Sequence, residues 1–278
     1  MTNTLSRYSN LTQRIITGVL GSAVVIAGIC YSEWAYFGLF FILCLFAMRE
    51  FYILAGQDGM MPERIFGIVC GLFLYTLTFL VARNTVSSSY YFLLFPLTTC
   101  VYIIKLYRKS ERKPFSNIAF TFLGVFYLAL PLSLLHLAVF DGGVYNFEII
   151  FGILFILWAS DTGAYFAGTF LGKTKLFPRI SPKKSWEGFA GGALLALIFA
   201  YGLAQFFHSL SLLQWLVVGV IIIVGGTFGD LVESMLKRSI EIKDSGTALP
   251  GHGGFLDRFD GLFISAPFIV AYLIIFSS

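Results

Sequence analysis

Charge is what this 278-residue sequence has least of. Asp, Glu, Lys and Arg together make up 12% of it, roughly half the share that keeps a soluble domain dispersed. With 58% hydrophobic residues and a strongly positive mean hydropathy, a soluble globule is excluded. Cysteine is also scarce. Cys30, Cys44, Cys70 and Cys100 each lie inside an apolar run with no CxxC spacing, which excludes a disulfide framework or zinc site and leaves them as small core residues. The apolar runs lack the alternation of a membrane barrel. No inverted internal repeat of the kind that marks many transporters is present, nor any low-complexity linker. No small-x-small cleavage site follows the first apolar run, which exceeds the usual core of a signal peptide despite Arg7 and Arg14 ahead of it; it is expected to be a retained span.

What the chain does have is apolar runs, at roughly 15–31, 34–54, 65–82, 90–107, 117–137, 147–167, 187–207, 212–229 and 261–276. Several approach the ~20 residues that cross a bilayer as helix. The expected fold class is therefore all-α, a polytopic integral membrane protein of about nine transmembrane helices. With the N-terminus inside, nine spans put every one of the 19 Lys and Arg except Arg83 on cytoplasmic segments or span ends, the bias that orients membrane proteins. The pI near 8.8 then reflects loops beside anionic membrane lipids, and no nucleic-acid partner is expected. The expected location is the bacterial cytoplasmic (inner) membrane, with the N-terminus and active site cytoplasmic and the C-terminus outside.

The chain divides unevenly within one integral membrane unit. Residues 1–146 are mostly plain hydrophobic helices with short connections, and residues 147–278 carry nearly every departure from that pattern. SDTGAYFAG, Ser160 to Gly168, follows an apolar run without a break, so Asp161 should sit within the inner half of a span. An ionisable residue there marks a functional site by default, although an ion pair with a neighbouring lysine is the plainer reading. GKTKLFPRISPKKSWEGFAGG, Gly172 to Gly192, holds Lys173, Lys175, Arg179, Lys183 and Lys184. Such a loop suits phosphate or merely fixes topology. Ser181-Pro182 or Ser185 can cap a helix start there, with both lysines beside its exposed N–H groups, a natural anion site. GTFLGKT, Gly168 to Thr174, is one residue short of a P-loop and follows a membrane helix where a strand is required. The basic cluster in LYRKSERK (Lys105, Arg108, Lys109, Arg112, Lys113) lies between plain spans and should mainly orient the protein.

The third departure is VGGTFGDLVESMLKRS and the polar stretch after it. If the span from Leu212 continues as helix, Asp230, Ser234, Lys237 and Glu241 share one face. Asp257 and Asp260 stand at i, i+3 where the last helix should begin, a placement that favours ionised carboxylates. Gly251, Gly253 and Gly254 let the loop between bend close to a ligand. His252 suits phosphate binding, metal coordination, proton relay or a structural hydrogen bond, and the sequence does not choose among them. Converging carboxylates beside Lys and Arg suit Mg²⁺ and phosphate chemistry above all. At the cytoplasmic interface, a lipid phosphate and a soluble nucleotide are the natural substrates.

Ser234-x-Leu236-Lys237-Arg238, Lys243-Asp244-x-Gly246 and Leu249-Pro250-x-His252-Gly253-Gly254-Phe255-x-Asp257-Arg258-Phe259-Asp260 together resemble the signature of phosphatidate cytidylyltransferases, also called CDP-diacylglycerol synthases. SDTGAYFAG, SPKKSWEG and GTFGDLVES are similar to further motifs of that family in the same order. The resemblance covers about 100 residues, Ser160 to Asp260, without departure between Ser234 and Asp260. It implies the reaction CTP + phosphatidic acid → CDP-diacylglycerol + pyrophosphate, in phospholipid biosynthesis, with Mg²⁺ required. It implies Asp230 and Asp257 as metal ligands, with Asp260 and Asp161 close by, and extends the cofactor expectation to a monovalent cation such as K⁺ sharing that site. The catalytic set it gives is Asp230, Asp257, Asp260, Lys237, Lys243 and Asp244. Lys183, Lys184, Ser185, Ser234, Arg238, His252 and Arg258 are expected to meet the phosphates. No residue pattern bears on oligomeric state, and a homodimer is carried as an open expectation.

Two other classes compete. A CTP-dependent lipid kinase could use the same metal and nucleotide chemistry but would release CDP instead of pyrophosphate. A transporter would line an ion path with its acids, yet these cluster near one interface with no polar series toward the other. The D-G-x-x-A-R-x₈-G-x₃-D-x₃-D pattern of CDP-alcohol phosphotransferases is absent.

Overall fold

A bilayer offers no water to unpaired backbone groups, so each apolar run must close its hydrogen bonds internally as helix. In a computed structural model that describes residues 10–57, 59–109, 111–241 and 254–276, helices occupy all nine expected places. They are α1 (Asn10–Tyr31), α2 (Glu33–Gln57), α3 (Arg64–Ala82), α4 (Leu94–Leu106, led in by a 3-10 turn at Ser88–Leu93), α5 (Pro114–Gly124) and α6 (Leu130–Val139), joined by a π-helical turn at Val125–Ala129 into one rod, then α7 (Phe147–Leu171), α8 (Trp186–Phe206), α9 (Leu212–Ser239) and α10 (Leu256–Phe276). Eight of these rods are long and apolar enough to cross a membrane; in α1 the described apolar stretch is the shorter Gly18–Tyr31. The fold is all-α and polytopic. Two small hairpins interrupt it, β1 (Phe140–Asp141) with β2 (Val144–Tyr145) and β3 (Lys175–Phe177) with β4 (Ser181–Ser185), both antiparallel.

Local signals set the helix ends. Ser32 is all that separates α1 from α2, and its hydroxyl accepts the Ala35 N–H at 3.1 Å. Asn146 caps α7 through the Glu148 N–H at 2.9 Å. Ser211 and Gln214 form a reciprocal capping box at the start of α9, which satisfies two otherwise orphaned donors. α9 ends at Ser239, and Glu241 beyond it has a positive φ of 58°. The expectation that Glu241 continues the face of Asp230, Ser234 and Lys237 is therefore corrected: the backbone has left the helix before reaching it.

Contacts between the connections sort the bundle into two ends. At one, Lys105 joins Glu63 at 3.2 Å and the Met61 carbonyl at 2.8 Å, and Lys184 meets Asp230. At the other, the Tyr145 hydroxyl donates to the Ile29 carbonyl at 3.0 Å, Asn146 donates to Ser209 at 2.7 Å, and Arg83 pairs with Glu33 at 2.7 Å. Among the described residues, Arg83 is the one cation at this second end, and its guanidinium also lies 5.0 Å from the Trp34 ring centre. Lys105 corrects another expectation. It is buried among Glu63, Glu111 and Met61, a structural cation holding two corners together, with Arg108 on Glu63 beside it at 3.3 Å. These residues line a cavity of about 380 Å³ that includes none of the candidate site residues. Of the four free cysteines, Cys44 and Cys70 are core residues as expected, but Cys30 and Cys100 are exposed on helix surfaces, where a bilayer accepts a thiol as readily as a core does.

The second half is held by glycine seams. Lipid removes the hydrophobic drive between helices, so small residues and close backbone packing take its place. A methyl group on Gly163 of α7 would come within 2.5 Å of the Gly191 carbonyl oxygen of α8, and one on Gly229 of α9 within 2.5 Å of the Asp260 carbonyl oxygen of α10. Gly202, by contrast, has open space around it. Gly163→Ala should therefore destabilise the protein by about 1–3 kcal/mol through overpacking, read as a lower unfolding midpoint in detergent, whereas Gly202→Ala should leave the midpoint unchanged or slightly raised, alanine being the better helix former. Equal midpoints for the two variants would show that the α7–α8 seam opens without cost.

Candidate active site

Four elements meet at the end of the bundle that gathers the cations. α9 carries Asp230, Glu233, Ser234 and Lys237 on its last turns. Helical spacing pairs them in two rows: Ser234 Oγ donates to Asp230 Oδ1 at 3.3 Å, and Lys237 Nζ meets Glu233 Oε2 at 2.6 Å. α10 begins at Leu256 and brings Asp257 and Asp260. Lys237 Nζ donates to Asp257 Oδ1 at 2.8 Å, so one ammonium bridges a carboxylate from each helix. Asp257 Oδ2 accepts the Gly254 N–H at 3.1 Å, which ties the incoming backbone to the first turn. Asp260 Oδ1 accepts the Gly261 N–H at 2.7 Å.

The helix crossing brings the acids together. Gly229 lies against the backbone of Asp260 and Gly261, so the adjacent Asp230 must approach Asp260. One carboxylate oxygen from each of Asp230, Glu233 and Asp260 lies within 4.8 Å of the other two. Glu233 is 1% exposed, and its Oε1 is buried with no hydrogen-bond partner. Asp161, from α7, lies within electrostatic range of Asp230, Lys184 and Arg258.

The β3–β4 hairpin supplies the facing cation. Glu187 pins its base by accepting the backbone N–H of Lys173 and of Thr174, each at 3.1 Å. Ser185, not Ser181, caps α8, accepting the Gly188 N–H at 3.1 Å. Lys184 Nζ reaches Asp230 Oδ2 at 2.7 Å and the Thr227 carbonyl at 3.2 Å. Successive strand residues face opposite ways, so Lys183 stands exposed while Lys184 faces α9. The hairpin splits a pair that the sequence presents as equivalent.

Of the expected site residues, the structure thus gathers Asp161, Lys184, Asp230, Ser234, Lys237, Asp257 and Asp260. Arg258 lies near Asp161, and Arg238 is exposed on the last turn of α9. Lys243, Asp244 and His252 lie outside the described residues. Two residues were missed. Glu233 stands at i+3 from Asp230, a spacing that shares a helix face, so its signal was present and overlooked. Tyr127 had none: it sits in a plain apolar run, on the π-helical turn, within electrostatic range of Asp260 and Glu233 and with its hydroxyl buried and unpartnered. Such turns recur at functional sites.

Residues 12–276 match a family model described as the cytidylyltransferase family. The chain belongs to the cytidylyltransferase family. The matched range takes in every element of this site, so the carboxylates and lysines of this cytidylyltransferase family member lie within the shared architecture. A phosphatidate cytidylyltransferase of Bacillus subtilis (strain 168) is 47% identical over 135 residues, 48% of this chain and 50% of that protein. Proteins of the same name from Staphylococcus haemolyticus (strain JCSC1435) and Staphylococcus aureus (strain COL) are 42% and 40% identical over 167 residues, 59% of this chain and 62% of each relative. In these alignments the chain spans between half and 62% of its relatives' length.

The bridging of Glu233 and Asp257 by Lys237 gives a stability test. Removing one partner of a buried ionic cluster strands the others and costs roughly 3–5 kcal/mol. Lys237→Met should lower the unfolding midpoint in detergent accordingly, and adding Glu233→Gln to the same chain should restore a large part of the loss. A double variant no better than Lys237→Met would mean that the triad is not an electrostatic unit.

Proposed function

We propose that this chain transfers the cytidylyl group of CTP to phosphatidic acid, giving CDP-diacylglycerol and pyrophosphate. The observation that carries the reading is the convergence of three carboxylates with Lys184 at one helix crossing at the end of a membrane bundle. Family membership and the names of the relatives support it. In the step proposed, a phosphate oxygen of phosphatidic acid attacks the α-phosphorus of CTP, the bond to the bridging β-phosphate oxygen breaks, and pyrophosphate leaves. No covalent intermediate on the protein is needed, so positioning and charge stabilisation carry the rate.

The donor set fits Mg²⁺. Its oxygens are hard ligands of the kind that ion prefers, and the buried Glu233 Oε1 has no hydrogen-bond partner. Asp230, Glu233 and Asp260 would hold the ion, which when bound would neutralise triphosphate charge. Asp257, expected from the resemblance to be a ligand, is on this reading a brace: with Lys237 it locks the start of α10 to the end of α9. Lys184 is poised to exchange Asp230 for a phosphate oxygen, and Asp161 and Arg258 line the approach from α7 and α10.

Purified protein incubated with phosphatidic acid, labelled CTP and Mg²⁺ should yield a labelled lipid and one pyrophosphate per lipid. Release of CDP in place of pyrophosphate would assign a lipid kinase. Lys184→Ala should lower kcat/KM for either substrate by roughly tenfold to a hundredfold, as expected for a charge-assisted phosphate contact. The exposed Lys109 is a screened surface charge, so Lys109→Ala should change kcat/KM by less than about threefold. Equal losses at matched protein levels would attribute the hairpin's charge to membrane electrostatics alone.

The proposed location is the cytoplasmic membrane, with the cation-rich end inside. A reporter active only in the cytoplasm should be silent when fused after Ser278, and bright when inserted into the β3–β4 hairpin. A bright C-terminal fusion would remove one span from the count.

A further inference from the structure

The N-terminal half carries no motif, yet it holds a buried carboxylate with a specific task. Glu50 lies on α2, seven residues before its end at Gln57, within an otherwise apolar run broken only by the exposed Arg49. It is 8% exposed, in a setting where an ionisable side chain is expensive and calls for a reason. Its Oε2 accepts the backbone N–H of Leu256 at 2.9 Å, across 206 positions of sequence. Leu256 is the first residue of α10 and is fully buried. One turn earlier on α2, the Phe46 ring stacks on Phe255 with centres 5.2 Å apart and planes 10° from parallel.

We propose that Glu50 is a positioning residue for this site, fixing the first turn of α10 from α2 and thereby the placement of Asp257 and Asp260. The first N–H groups of a helix have no partner inside it, and a carboxylate is the strongest acceptor available to one of them, favoured further by the helix dipole. Asp257 holds Gly254 from within the turn, and Glu50 holds Leu256 from outside it. Phe46 fixes the residue between. The turn that delivers Asp257 is thus gripped at three successive points, two of them from α2. Asp260 follows one turn later and inherits the same placement. The apolar half of the chain is part of the site's frame, beyond any role as a membrane anchor.

The role in turnover rests on the proposed cytidylyl transfer, whereas the grip itself is tested without it. Hydrogen exchange on the full-length protein in detergent, without added metal, reads the opening of the α10 start directly. Glu50→Leu keeps the volume but removes the acceptor, and should speed exchange over Leu256–Gly261 by about tenfold or more while leaving Leu212–Ile223 unchanged. Glu50→Gln keeps an acceptor and should stay within about threefold of wild type. With phosphatidic acid, CTP and Mg²⁺, Glu50→Leu should lower kcat by roughly twentyfold or more and raise the Mg²⁺ concentration for half-activity, with KM for phosphatidic acid little changed. Glu50→Gln should recover most of that kcat. Should Glu50→Leu fail to fold, Phe46→Leu, which loosens the same grip without stranding a charge, should show the same exchange pattern in milder form. Unchanged exchange at Leu256–Gly261 in a folded Glu50→Leu protein, or Glu50→Gln exchanging as fast as Glu50→Leu, would overturn the proposal. A wild-type protein that makes no labelled lipid would count against the proposed reaction and leave the exchange result standing.

Discussion

The contact of Gly229 with the backbone of Asp260 and Gly261 is the constraint on which the rest of the site depends. Side chains that pack between helices can flex and re-pack; two backbones in contact cannot. The axes of α9 and α10 are therefore set where the chain places Asp230 and Asp260 on consecutive positions of the seam. Neighbouring carboxylates repel, so the crossing stores an electrostatic demand for positive charge at this point. Lys184 meets part of it from the hairpin. On the proposed reaction, a divalent cation would meet the rest.

Two lysines answer the carboxylates in different ways. Lys237 stands between Glu233 and Asp257, with little exposure on any of the three side chains, so it acts as an internal strut between α9 and α10. Lys184 pairs with an Asp230 side chain that is 47% exposed, and it hangs from a hairpin whose base is pinned by Glu187. One cation is built in and the other presented. That division suits the proposed reaction, in which the site would keep its own geometry while phosphates enter and leave.

Much of this was legible in the sequence because the membrane writes in long words. Apolar runs placed all nine rods, and Ser185, one of the two helix starts offered for the basic loop, is the cap that the structure keeps. The polar departures led to Asp161, Lys184, Asp230, Lys237, Asp257 and Asp260, which do converge. What was missed depends on contacts distant in sequence. Pairing of Lys175 with Ser185 across a hairpin decides which of two adjacent lysines faces the acids, and no local pattern reveals that. The burial of Lys105 by Glu63 and Glu111 joins two corners that look like ordinary topology signals. Tyr127 and Glu50 sit in runs whose composition says only that they are apolar. Glu233 is different, since its spacing from Asp230 was readable.

The glycine seams also govern how such a chain can change. Val224, Phe228 and Met235 on α9 and Phe268 on α10 are exposed, and on that side any apolar residue of similar size serves equally well. At Gly229 the space beside the backbone admits a hydrogen atom and nothing larger. Successive residues on a helix are turned by roughly 100°, so Phe228 and Gly229 meet opposite rules although they are neighbours in sequence. Tolerance to substitution in this half of the chain is accordingly a matter of angle about the helix axis: drift is open on the outward arc and closed on the seam, with the carboxylates riding on the closed side.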